Sequence, residues 1–260
     1  MTRSLRPWLA AMVLAAVAPT LAACGTPRVA PTSPAASGPI SMMPTANDFV
    51  TSLIRTRDLG TAAVEIEVRT TVGDVTRELT GTGAVATDPG FGNLTWTGES
   101  GQTHEIINDI ATYVQSDPPD GMWTRLAEGD RTPTTGFADP LSGLGGLALV
   151  TNEGADEVDG IPATRYSGTL QIDPNRMVEL GLSEAEIAGI GDAWQGASME
   201  VDAWVDAKGR VVHITRVAEL IGQDGVPVRV EVSTALSDFS GGLDLENPPS
   251  ESVTEAPSGT

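Results

Sequence analysis

The chain has 260 residues, with 35 acidic against 15 basic side chains and a formal net charge of −20 at pH 7. Such a surface repels nucleic acid and anionic headgroups, which excludes a nucleic-acid partner and adhesion through a basic patch. A single cysteine, Cys24, leaves no partner for a disulfide and no cluster for a cysteine metal site.

At the N-terminus Arg3 and Arg6 flank the start of an uncharged apolar stretch, Trp8 to Ala18. It is too short to cross a bilayer, which takes roughly 20 apolar residues. Leu21-Ala22-Ala23-Cys24 follows. A small-residue cleavage site marks an exported chain. A cysteine directly after it resembles the bacterial lipobox, where the thiol takes a diacylglycerol and the signal is cut just before it. Residues 1–23 are therefore expected to be a lipoprotein signal peptide, with Cys24 as the lipidation site. Two acyl chains on one cysteine give stable anchoring. The expected location is the cell membrane, lipid-anchored and facing the outside or periplasmic space. Residues 24–44, rich in Pro, Ser and Ala, read as a disordered tether.

Residues 45–249 read as one folded domain and 250–260 as a disordered tail. The domain opens with a helix over 46–58. Thr45-Ala46-Asn47-Asp48 has capping-box spacing, and Ala46, Phe49, Val50, Leu53 and Ile54 form an apolar stripe. After Gly60 the period changes to two: Ala62, Val64, Ile66, Val68 and Thr70 face one way, Glu65, Glu67 and Arg69 the other. Further strands are predicted at 75–87, 92–98, 103–108, 111–116 and 122–126, with turn residues between them. Asp139-Pro140 reads as the start of a Gly-rich, adaptable helix over 140–149, carrying Leu144 and Leu147. Strands at 152–158 and 161–172 come next, then short helices within 174–195. The last third is a three-stranded meander over 199–206, 210–221 and 226–236, with Val201, Val205, Ile214 and Val230 on one face.

These strands outnumber the helices available to cover them. The apolar face of one large sheet must then curl around an apolar cavity or be filled as a packed core, and periodicity is consistent with both.

Four segments carry a family resemblance. Ala111-Thr112-Tyr113-Val114 with Gly121-Met122-Trp123-Thr124-Arg125-Leu126 is one hairpin. Val158-Asp159-Gly160 leading to Thr164-Arg165-Tyr166 is a strand entry. Trp204-Val205-Asp206-Ala207-Lys208-Gly209-Arg210-Val211 is a second hairpin. Phe239 to Pro249 resembles the closing strand of the same family. Together with the lipobox they resemble the LppX/LprAFG-type lipoproteins, related in fold to the LolA and LolB carriers, over residues 45–249. The resemblance implies an α+β fold: a single curved antiparallel sheet, a U-shaped half-barrel, with a few helices on its concave side. It implies an apolar cavity for the acyl chains of a lipid or lipoglycan carried across the envelope, with no catalytic residues. The expected partners are that lipid, the membrane and an envelope transporter. The expected lining is Val64, Ile66, Val68, Val201, Ala203, Val205, Val228 and Val230, with Leu144 and Leu147 pointing in from the 140–149 helix.

No cofactor, metal or catalytic constellation is legible. His104 and His213 lie on strands without a ligand motif, no Gly-x-Ser-x-Gly elbow occurs, and Asp202 and Asp206 read as a solvated face. The alternative to a carrier is an envelope scaffold or adaptor that binds another protein through its acidic face.

Overall fold

The computed structural model describes residues 46–256, apart from 88–89, 119–120, 128–131, 133, 174–176, 178–179, 183–186, 189 and 223–224. The expected signal peptide, Cys24 and the expected tether lie outside the described residues. Among the described residues, no helix is long and apolar enough to cross a membrane.

One helix, α1 (Ala46–Asp58), precedes two meanders. The first contains β1 (Thr61–Val72), β2 (Val75–Ala86), β3 (Gly92–Gly98), β4 (Gly101–Ile107), β5 (Thr112–Ser116) and β6 (Trp123–Arg125). The second contains β7 (Ala148–Val158), β8 (Ile161–Gln171), β9 (Ser198–Asp206), β10 (Val211–Ile221) and β11 (Pro227–Ser237). A short β12 (Val253–Glu255) follows. All twelve strands form one sheet in the order β12-β6-β5-β4-β3-β2-β1-β11-β10-β9-β8-β7. The β1–β11 ladder, from Ala63↔Ser237 to Val72↔Val228, joins the two meanders. Every ladder is antiparallel except β12 on β6. The sheet is curved and open, not a closed barrel.

The expected alternation sets the faces correctly. Val201, Val205, Ile214 and Val230 are all buried on one face, here termed the inner face. Its core also takes Phe49 and Leu53 of α1, Phe137, Leu141, Leu144, and Met177, Leu180, Leu182 and Ile190.

Four expectations need correction. The 140–149 segment is not an α-helix. Pro140 to Gly143 is a turn, Leu144–Gly146 a single 3-10 turn, and β7 already begins at Ala148. Gly143 stands at φ 74°, in the left-handed region, so the helix cannot propagate through it. The Pro140 carbonyl is also taken, by the buried Arg216 Nη2 at 2.6 Å.

The α1 stripe is rotated as well. Phe49, Ser52, Leu53 and Thr56 are buried, while Val50 and Ile54 are 42% and 56% exposed. The two hydroxyls tolerate burial because each donates one turn back, Ser52 to the Asp48 carbonyl and Thr56 to the Ser52 carbonyl. Thr56 Oγ1 also accepts from the Val211 N–H at 2.9 Å.

At the C-terminus, Val253–Glu255 belongs to the sheet and not to a loose tail. The segment before it, expected as a closing strand, runs without a ladder across the outer face. Asn93 and Asn108 hold the carbonyls of Asp244 and Leu245, and Leu245 and Val253 cover Ile106, Tyr113 and Trp123. Of the helices expected within 174–195, the 3-10 turn Gly191–Trp194 is described; much of the remainder lies outside the described residues.

Candidate ligand-binding face

One transverse row shows how the inner face changes across the sheet. Register connects Tyr166, Ala203, Ile214, Thr234, Ile66, Gly81, Trp96, Thr103 and Ser116, from β8 to β5. The first five pack into the core: Tyr166 meets Phe49 at 5.2 Å between ring centroids, and Ala203, Ile214, Thr234 and Ile66 are almost fully buried. From Gly81 onward the face opens.

Gly81 is where the space is made. A Cβ there would stand 2.4 Å from the Trp96 ring, so only glycine lets the indole lie over β2. Trp96 packs against Phe137 at 5.3 Å. Beside them is a cavity of about 450 Å³. Buried Trp96, Glu105, Thr134 and Gly181 form its floor, and half-buried Leu79, Gly98, Thr103, Val114 and Thr132 its wall. Exposed Arg77, Glu78, Glu99, Ser100 and Ser116 form its rim.

Glu105 is the unexpected element. It is 1% exposed and faces inward between Leu94 and Val114. Trp96 Nε1 donates to its Oε2 at 3.1 Å and Thr134 Oγ1 to its Oε1 at 2.6 Å. Burial pushes its carboxyl above the ordinary carboxylate range, against the pull of hydrogen bonds from Thr134, Thr132 and Trp96. A carboxylate at an inward position breaks the apolar alternation. Sequence reading passed over it because the next inward residue, Ile107, restores the pattern.

The ten expected lining positions share this face. Val64, Ile66, Val68, Val201, Ala203, Val205, Val228 and Val230 are buried in the core. Leu144 is buried and Leu147 half-buried against the same core, both from the 140–147 turn. None of the ten lines the cavity under Trp96.

The outer face also holds a surprise. His213 Nδ1 lies 3.0 Å from Asp159 Oδ2 and its Nε2 2.9 Å from Ser233 Oγ, the order of a Ser-His-Asp relay. Ser233 sits mid-strand between Glu67 and Thr215. Its backbone is committed to ladders, which leaves no turn to present the hydroxyl or an oxyanion hole beside it. The arrangement pins the β7–β8 turn to the sheet. Asp202 and Asp206 are likewise structural: Asp202 pairs with Arg165, and Asp206 with Arg210 at 2.6 Å across the β9–β10 turn. Among the described residues there is no metal-binding cluster of His, Cys, Asp and Glu.

No family model matches the chain. Curated relatives do. The protein named "Putative phthiocerol dimycocerosate transporter LppX" is 27% identical over 211 residues in both Mycobacterium bovis and Mycobacterium tuberculosis, covering 75% of this chain and 86% of the relative. Among solved structures, LprF from Mycobacterium bovis aligns over 78% of this chain and 95% of its own, with 17% identity and a TM-score of 0.44. LppX from Mycobacterium tuberculosis aligns over 78% and 100%, with 15% identity and the same TM-score. At that score the structural likeness adds nothing to the architecture read from the ladders. The sequence match does add something, because it reaches well beyond the four motif segments: this chain is similar to the LppX/LprAFG-type lipoproteins.

Proposed function

We propose that this protein is a membrane-anchored lipid carrier that holds the acyl chains of a lipid or lipoglycan on the inner face of its sheet and moves it across the cell envelope. The observation that carries this reading is the match to LppX across 75% of the chain. The inner face agrees with it, being a broad apolar surface with an open cavity at one end. The chain is exported on its N-terminal signal and anchored through Cys24. Acyl chains enter at the cavity under Trp96. Chains too long for it reach toward Val64, Ile66 and Val68 by displacing the turn that carries Leu144 and Leu147. That turn is weakly built, with Gly143, Gly145 and Gly146 around Leu144 and no capping side chain.

The test is transfer. Donor vesicles carrying a fluorescent diacyl lipid are mixed with acceptor vesicles, with and without the full-length chain bearing Cys24→Ala, which has no thiol to acylate. A carrier raises the transfer rate in proportion to protein concentration. No change in rate, together with no lipid in extracts of the purified protein, favours the adaptor reading instead. Anchoring is tested separately: Cys24→Ala should leave the detergent phase into which the wild type partitions.

A further inference from the structure

The apolar stripe of the inner face does not stop where its cover stops. On β1 and β11 it runs past buried Val68 and Val228 to Val72 and Val226, which are 39% and 38% exposed. Val75 faces Val72 across the β1–β2 turn, and Ile221 ends β10 at the next turn; they are 72% and 62% exposed. The two turns are joined. The Gly73 N–H donates to the Pro227 carbonyl at 3.0 Å, and a Cβ on Gly73 would touch Val226 Cγ1 at 3.4 Å. The four aliphatic side chains therefore make one tip at this end of the sheet. The cavity under Trp96 opens toward the same end. Of its exposed rim, Arg77 and Glu78 follow Val75 on β2, and Glu99 and Ser100 form the neighbouring β3–β4 turn. Trp96 and Glu105 lie deeper along the strands.

We propose that this tip docks on a lipid bilayer, with Val72, Val75, Ile221 and Val226 in the headgroup boundary and the cavity mouth turned to the membrane. The proposal rests on the lipid-carrier reading and assigns the surface through which that carrier meets a bilayer. Exposed apolar patches mark protein or membrane contacts, and four features favour the membrane. Tip and mouth are continuous, so an acyl chain passes from the bilayer along Val75 and Leu79 without crossing water. The tip is also small. Four aliphatic side chains fall well short of the roughly 800 Å² that each partner buries in a stable protein complex, whereas a bilayer needs no matching shape. Charge is close to balanced here. Across 69–78 and 219–229, Arg69, Arg77 and Arg229 stand against Asp74, Glu78, Glu219 and Asp224, while the whole chain has 35 acidic residues to 15 basic. Arg69 pairs with Glu78 and Arg229 with Glu219. The attraction is thus apolar and meets little of the repulsion that the rest of the surface would give. Finally, residues 25–45 between Cys24 and α1 reach at most roughly 75 Å when extended. An anchor at Cys24 keeps the tip near the bilayer, so the tip has only to orient a domain already held there.

Two measurements test the docking. In the first, a dansyl-bearing side chain replaces Val75 in one chain and Ile110 in another; Ile110 is an exposed residue of the β4–β5 turn, at the opposite end of the sheet. Each chain is anchored through Cys24 to dioleoyl-phosphatidylcholine vesicles. Emission at position 75 should shift to the blue relative to the chain in solution, and emission at position 110 should not. In the second, Val75→Ser and Ile221→Ser are combined in the full-length Cys24→Ala chain. Lipid transfer between vesicles should fall about tenfold, the scale of two aliphatic side chains partly removed from water, with the thermal midpoint unchanged because both positions are exposed. Equal shifts at 75 and 110 overturn the proposal. A shift at 75 that needs no vesicles and grows with protein concentration overturns it in favour of pairing between copies. No shift at 75, or transfer untouched by the double variant, overturns it and leaves the carrier reading standing. If the Cys24→Ala chain itself transfers no lipid, the carrier reading fails, and the probe at position 75 alone decides the docking.

Discussion

The two meanders use the same strand period and reach opposite outcomes. In the second meander and β1, inward positions are mostly aliphatic, with Tyr166, Thr234, Thr70 and Arg216 among them, and α1 and the 137–147 segment fill the space above them. In β2 to β5, inward aliphatics such as Val85, Leu94 and Ile107 are interspersed with glycines and large or polar groups: Gly81, Gly83 and Gly98, and Trp96, Thr103, Glu105 and Ser116. The first arrangement closes a core and the second leaves a cavity. Period two states which side chains share a face. Whether that face is filled depends on side-chain volume and on what the connecting segments lay over it.

Substitutions that exchange the two characters should break this contrast. The largest effect is expected from Ala203→Trp, which forces an indole into the filled half beside Ile214 and Tyr166. Overpacking of this kind costs about 1–3 kcal/mol, and the upper end is expected where no neighbouring space exists. The thermal midpoint should drop, and an unchanged midpoint would mean that this half is not filled. Gly81→Ala acts on the open half. Its new methyl meets the Trp96 ring, which must shift into the cavity, so a loss of about 1–2 kcal/mol should come with weaker lipid uptake. Retained uptake would detach the cavity from the ligand.

A smaller effect separates the halves by pH. The folded-state pKa of Glu105 is raised above its unfolded value, so the fold favours its neutral form. Its stabilising contribution is complete below the ordinary carboxyl range and is lost as pH rises through the raised value. The stability of Glu105→Gln relative to wild type should therefore climb across that interval and then level off. A difference flat with pH would contradict a buried, ionising Glu105. The smallest effect is expected on the outer face. Glu219→Gln removes an exposed partner of Arg229 and should change stability by less than about 1 kcal/mol. A larger loss would show that the charged face contributes to the fold.

Much of the fold is legible in the residues. The alternation of Val64-Ile66-Val68, Val201-Ala203-Val205 and Val228-Val230 fixes faces and register, because a one-residue slip would expose all of them. The elements that decide the site are less legible. Leu141, Leu144, Leu147 and Ala148 have helical spacing, yet Gly143 and the capture of the Pro140 carbonyl by Arg216 turn that segment into short 3-10 geometry. Arg216 is a cation on an inward strand position, and no period reveals that it serves a carbonyl 76 residues away in sequence. Glu105 and Trp96 are nine residues apart, on neighbouring strands. Only the β3–β4 register brings the indole N–H to the carboxylate, so the cavity floor emerges from pairing and not from any local motif. The Val253–Glu255 strand was hidden for another reason: three residues beside a Pro-rich segment are too few to show alternation.

The most direct test of the contrast is to ask which half a bound lipid touches. A diacyl lipid with a diazirine on its acyl chain is loaded into the full-length Cys24→Ala chain, photolysed, and its adducts located by peptide mass spectrometry. Adducts concentrated on β2 to β5 and the adjoining loop, around Leu79, Thr103, Val114 and Thr132, are the expected result. Adducts confined to β9 and β11, at Val201, Ala203 or Val230, would mean that the filled half opens while the cavity stays empty, and would contradict the account.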